Sequence, residues 1–375
     1  MMKVMHYFWI VFSALPLFAV ADLEKQSPAF VEANSPIETV SNTGPSDPPQ
    51  PPALPPSFAM PGEYNGRARL AITGEYLYLK TQEEELGYGT TSLNATTQAL
   101  TDPLSVLNGR VLRMNPGFNS GVRLAATYLI PDTDWNLRVT WMEYSNQTSA
   151  STSNYLWPFL LNQTWDPPFA SSASGTWDLH LNQLDGDFAV YCFSNQWISL
   201  TPRIGVRGAW ISQNLDVTYQ NVDFTGLTIT NVVYSFVKSN NSSTFSGAGL
   251  LAGVDVNWVF GKGFSFYTNG TAALLWSTFD LLQRELIPAG TYRSTLNNKV
   301  RDVSPVLDLA AGVQWETTAF QGRWLFQCQV GWEEHIWFHQ NQFDRFIDTQ
   351  VMGSVFSDNG NLGLSGVVAS LKIGF

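Results

Sequence analysis

Asp, Glu, Lys and Arg make up only 14% of this sequence, so the few that share a phase with small and polar neighbours limit its chemistry. In segments that alternate apolar with polar, Arg123, Arg138, Arg203, Arg207 and Lys372 fall on the polar phase, with Asp178, Asp187, Asp255, Asp308 and Glu333. Opposed rows of acid and base around a confined space bias the passage of ions. The same groups could instead pair and fill that space, because narrow barrels have interiors about wide enough for side chains alone. A hydrolase needs a base and paired carboxylates at an accessible rim. The histidines are His6, His180, His335 and His339, and only Glu333, His335 and Asp344 approach such a set, without a nucleophile motif beside them. A glutamate and a histidine two apart on a strand more often share a hydrogen bond. His335 and His339 would converge on a helix but lie far apart on a strand, so no metal site is expected. No glycine-rich phosphate loop stands between a strand and a helix, so no cofactor is expected either, and the chain reads as a non-enzyme.

The formal charge is −11 with no cluster of Lys and Arg, which argues against nucleic acid as a partner. Charge is low against the roughly 25% of soluble domains. Aromatic residues reach 14%, with 14 Trp and 29 Gly, a composition suited to strands with lipid on one side and water on the other. Cys192 and Cys328 fall on the lipid-facing phase of strands that are not neighbours, so free thiols are expected.

Met1-Met2-Lys3, an apolar run over 4–21 and the ending Ala19-Val20-Ala21 predict a signal peptide over 1–21, cleaved after Ala21 in Sec-type export. Residues 22–66 hold ten of the 20 prolines and read as a flexible periplasmic tail. Beyond it no apolar stretch is long enough to cross a bilayer as a helix, so a membrane location requires a closed barrel.

From residue 67 to 375 period-two alternation predicts ten strands, at 67–80, 120–130, 135–145, 176–193, 197–213, 247–260, 264–279, 305–315, 323–337 and 362–375. The fourth slips phase near Gln183 and Leu184, which predicts a bulge. Connections alternate between short (131–134, 194–196, 261–263, 317–322) and long (81–119, 146–175, 214–246, 280–304, 338–361). That is the rhythm of an antiparallel outer-membrane barrel with short periplasmic turns and long outer loops. The fold class expected is therefore an all-β transmembrane barrel of about ten strands. Twelve is the alternative, should 107–114 or 227–237 add a short strand.

On the outward phase, aromatic residues gather beside the short turns, among them Trp135, Trp197, Trp258, Trp315 and Trp324. A second set, Trp141, Trp177, Trp210, Trp276 and Trp332, stands one membrane thickness away, and two such girdles would anchor the barrel at the interfaces. In the last strand Val367, Ala369, Leu371, Ile373 and Phe375 share a face. A terminal aromatic ending such a strand resembles the signal read by barrel-assembly machinery.

Several stretches resemble the Legionella major outer membrane protein family and its porin-like relatives in environmental chlamydiae. They include Gly74-Glu75-Tyr76-Leu77-Tyr78-Leu79-Lys80, Leu200-Thr201-Pro202-Arg203-Ile204-Gly205-Val206-Arg207 and Gly331-Trp332-Glu333-Glu334-His335-Ile336-Trp337-Phe338-His339. The resemblance implies the bacterial outer membrane and a channel role, and brings no catalytic residues. The expectation is a porin-like channel for ions or small hydrophilic solutes, its charged interior biasing selectivity. The rival is a plugged structural or adhesive surface barrel. Outer-membrane lipid and the assembly machinery are the expected partners, and a homo-oligomer stays open.

Overall fold

The computed structural model describes residues 69–91, 109–131, 133–162, 168–194, 197–224, 232–320, 323–346, 355–357 and 360–375. The expected signal peptide and proline-rich tail lie outside them. Ten strands form the wall: β1 (Leu70–Glu83), β2 (Phe118–Leu129), β3 (Trp135–Thr152), β4 (Ser172–Val190), β5 (Ile198–Asp223), β6 (Val233–Gly261), β7 (Phe264–Leu286), β8 (Tyr292–Ala319), β9 (Trp324–Asn341) and β10 (Gly360–Gly374). Each pairs antiparallel with the next, and β1 pairs with β10 from Ala71↔Gly374 to Glu83↔Leu362. The closed ladder satisfies the backbone groups that lipid cannot. Val111–Arg113 joins no wall strand; it pairs with Gly87–Thr91, which also pairs with Leu156–Pro158, in a small sheet outside the wall. Residues from Val233 onward belong to β6, and 225–231 lie outside the described residues.

At the short-turn end, Gly261 (φ 104°), Lys262 (φ 55°) and Gly263 (φ 81°) all take left-handed conformations, which glycine adopts without steric cost and which reverse the chain in three residues. At the other end the strands run much farther than expected. A tilted strand needs about 9 to 11 residues to cross the hydrocarbon layer, yet β5, β6, β7 and β8 have 26, 29, 23 and 28. Two of the long loops are therefore mostly hairpin. β5 and β6 stay paired out to Asp223↔Val233, and β7 and β8 out to Leu286↔Tyr292.

The sense of the alternation reverses along these long strands. In the membrane-spanning half the outward side chains are apolar, as at Ile204, Val206, Leu250 and Leu274, between 55% and 64% exposed, and the inward ones are polar. Farther out on the same strands Ile211, Leu215, Phe245, Phe279 and Leu281 point inward and are buried, while Asp216, Thr244 and Asp280 face out. Where the outer surface meets water, the apolar side chains find shelter only inside. β4 makes the change without a bulge: its pairing with β3 and β5 is unbroken from Ser172 to Ala189. The slip expected near Gln183 is this reversal, not an extra residue.

Candidate functional site

The membrane-spanning half of the interior is crossed by ion pairs. Arg123 on β2 donates to Glu75 on β1 (2.6 Å) and, with both terminal nitrogens, to Glu333 on β9 (3.0 and 2.6 Å). His335, two residues beyond Glu333 on the same inner face, has Nε2 3.2 Å from Glu333 and Nδ1 2.9 Å from Asp308 on β8. Asp308 also takes Nη2 of Arg207 from β5 (2.7 Å), and Arg207 grips Asp185 on β4 in a two-point clasp (2.9 and 2.8 Å). A second chain runs from Asp187 through Arg138 to Asp255 and Arg203, and Arg203 also donates to Thr271 on β7. Two-point guanidinium–carboxylate contacts fix geometry as well as charge. Since these groups lie largely away from bulk water, each depends on its partner.

These charges line a polar chamber of about 260 Å³, whose wall continues past Lys372, Glu316 and Asn257 toward the short-turn end. At its other end side chains from several strands pack together. Beyond Arg207 and His335 apolar side chains enter the interior among uncharged polar ones such as Gln213, Asn241 and Ser243, and Phe245 of β6 meets Trp337 of β9, ring centres 6.1 Å apart, with Phe279 5.0 Å from Phe245. Trp177, Leu215, Leu275 and Leu364 are buried in the same layer. Above it sits a cap from the β1–β2 and β3–β4 connections, which buries Leu86, Tyr88, Met114, Leu156, Leu160 and Leu161. The Tyr219 hydroxyl donates to the Tyr88 carbonyl at 2.6 Å and ties this cap to the wall.

Two buried carboxyl groups outside the membrane-spanning segments have shifted titration. Burial raises Glu285 above the usual glutamate range, against the opposing pull of Arg293 3.1 Å away. Glu83 is raised well above it, again by burial and further by the neighbouring Glu84 charge, with Gln213 beside it opposing the rise.

Residues 65–375 match the family of the Legionella pneumophila major outer membrane protein precursor. The chain belongs to the Legionella major outer membrane protein family. Membership in the Legionella family and the closed ten-stranded wall together place it in the outer membrane. No curated protein matches the chain. Among solved structures it is similar to the outer membrane protease OmpT of Escherichia coli, with 12% identity and a TM-score of 0.41, over 82% of this chain and 97% of that one. It is similar also to a Pseudomonas aeruginosa FadL homologue (9%, TM-score 0.24, 82% and 90%) and to the Ralstonia pickettii toluene transporter TbuX (11%, TM-score 0.23, 83% and 90%). Likenesses this distant say nothing about chemistry.

In this Legionella-family barrel nine of the ten lining residues named from sequence face the interior: Arg123, Arg138, Asp187, Arg203, Arg207, Asp255, Asp308, Glu333 and Lys372. Asp178 does not. It alternates with the buried Trp177 and Leu179 and points outward, and the absent bulge is the reason it was misplaced. Trp177 for the same reason is a core residue, buried, and no part of a girdle. Glu75 and Asp185 were missed, although each stands at even spacing from an inward residue of its strand. Trp135, Trp197, Trp210, Trp276, Trp315 and Trp324 are outward and between 39% and 64% exposed, Trp258 is half-buried against Phe266, and Phe375 lies 5.8 Å from Trp324. Cys192 and Cys328 are free. Among the described residues no group of three or more His, Cys, Asp or Glu could hold a metal ion.

Proposed function

We propose that this outer-membrane protein is a barrel closed to free diffusion in its resting state, a structural surface protein with a filled lumen. One observation carries the reading: buried side chains from all around the wall pack into one cluster in the outer half, Phe245 of β6 against Trp337 of β9 among them, beneath a folded cap. A close-packed layer leaves a hydrated ion no room to pass with its water. Refolded full-length protein in planar bilayers is expected to give no conductance steps above background, and regular steps at neutral pH would overturn the reading.

The porin-like alternative has support of its own in the polar chamber with its opposed charges. If that chamber conducts, Arg203→Glu or Arg207→Glu should shift ion selectivity. A hydrolytic role has less support. His335 has a carboxylate beside each ring nitrogen, so both are engaged and neither is free to activate a nucleophile. The partners in this reading are outer-membrane lipid, anchored at the tryptophan girdles, and the assembly machinery that would read Phe375. Self-association is open to test by cross-linking in native membranes.

A further inference from the structure

Above the outer girdle the outward side chains of the wall are mainly polar, as at Asp216, Thr244 and Asp280. The cap departs from that rule. Its strand Leu156–Pro158 pairs with Gly89–Thr91 on one side and meets Ala170 on the other, where Leu156 and Ala170 exchange both backbone hydrogen bonds (2.9 and 3.0 Å). Phe169 and Asp223 exchange theirs in the same way (3.0 and 2.8 Å). Period two then sorts the side chains. Leu156, Pro158, Ala170 and Val222 go to the covered side and are buried, whereas Thr90, Trp157, Phe169 and Asp223 follow one another across four chain segments on the opposite side. Trp157 stands edge-on to Phe169, ring centres 5.4 Å apart, and Tyr155 lies nearly parallel to Phe169 at 5.3 Å. Tyr155 stays 45% exposed.

Apolar surface held in water costs free energy, and a patch of it rimmed by polar groups marks a binding surface. Three features say what this one binds. The rings are backed by paired main chain and by one another, so they make a firm platform. Hydroxyl and amide groups edge it: Thr90 in the row, and beside the row Ser171, which accepts from Asn221 Nδ2 at 3.0 Å. The charged member of the row is a carboxylate, Asp223, with no Lys or Arg in line, on a chain of net charge −11, a field that turns anions away. A pyranose ring matches all three. Its C–H face, slightly positive, suits the negative face of an aromatic ring; its rim of hydroxyls both donates and accepts; and it carries no charge. We propose that the aromatic row of the cap, Tyr155, Trp157 and Phe169, binds a neutral saccharide presented from outside the cell. The cap stands at the end away from the short turns, the end that faces the external medium. The proposal holds whether or not the lumen conducts.

The test uses the full chain refolded in micelles of a detergent without a sugar headgroup, and saturation-transfer NMR on the methyl β-glycosides of glucose, galactose and N-acetylglucosamine. At least one of these should receive saturation, strongest at the C–H protons of one ring face. Trp157→Ala and Tyr155→Ala should each weaken its binding about tenfold, the loss of one ring's stacking. Tyr155→Phe keeps the ring and should bind as the parent does. Two positions keep the test decisive if one alanine variant fails to fold, and retained heat-modifiability on gels identifies the variants that have folded. A methyl β-uronide, with a carboxylate on the same ring, should bind more weakly than its neutral counterpart. No saturation of any of the three glycosides, unchanged binding in the folded alanine variants, or a preference for the uronide overturns the proposal. So does saturation of an uncharged leucine-containing tripeptide in place of the sugars, which would make the row a protein-docking surface.

Discussion

The two halves of the barrel use the same strands in opposite senses. In the membrane-spanning half β5 turns Ile204 and Val206 to lipid and Arg203 and Arg207 to the lumen; a few residues on it turns Asp216 and Thr218 to water and Leu215 and Val217 inward. The backbone ladder is the same throughout, so the medium outside decides what is packed within. Lipid permits a charged interior held by pairing, whereas water outside draws apolar side chains in, where they pack by burial among mostly uncharged polar groups. The first kind of interior is brittle, since each ion depends on a partner. The second degrades by increments, one methyl group at a time.

The sharpest test of that contrast removes a single ion. Arg207→Ala strands Asp185 and Asp308 together, both well shielded, and should cost about 3–5 kcal/mol, the range for breaking a buried pair. Denaturant unfolding of the refolded protein, followed by tryptophan fluorescence, measures it. A loss near zero would mean that the ionic layer is solvated, and the brittle half would not be brittle. The next test places one substitution on one face of one strand at two heights. Ala252→Arg on β6, midway between the girdles, should cost about 2–4 kcal/mol. Thr244→Arg, outward on the same strand but beyond the girdle, should stay within about 0.5 kcal/mol. Equal costs at the two positions would remove the boundary drawn between the halves.

That boundary also explains what was readable in the sequence. All ten strands were, because lipid on one side and water on the other impose a clean period of two, as at Ala248, Leu250, Ala252 and Val254. The outer extensions were not. The run Ser239-Asn240-Asn241-Ser242-Ser243-Thr244 is polar on both faces, and only its pairing with β5 and β7 makes it a strand. In β4 the reversal looked like a slipped register, which cost the interior Asp185 and lent it Asp178. Leu160 and Leu161 carry no local sign of their place in the mouth, since the residues that hold them come from three distant strands.

The smallest expected effect probes a carboxyl that the outer half encloses without an oppositely charged partner among the described residues. Glu83 lies inward at the end of β1 beside Gln213, its oxygens unbonded among the described residues. Burial lifts it well above its value of 4.5 in the open chain. Below 4.5 it is protonated whether the outer half is folded or open, and nothing is lost. As pH rises above 4.5, the open form gives up a proton that the folded form retains, so stability falls with rising pH until the folded carboxyl also ionises. Glu83→Gln removes this dependence. The variant should therefore match the parent in acid and exceed it at neutral pH by about 1 kcal/mol, of the order of one unsatisfied buried polar group. Amide exchange of the outer strands at the two pH values reads the difference. A variant less stable than the parent at neutral pH would mean that Glu83 is ionised and partnered, and that the outer half, like the inner one, depends on charge.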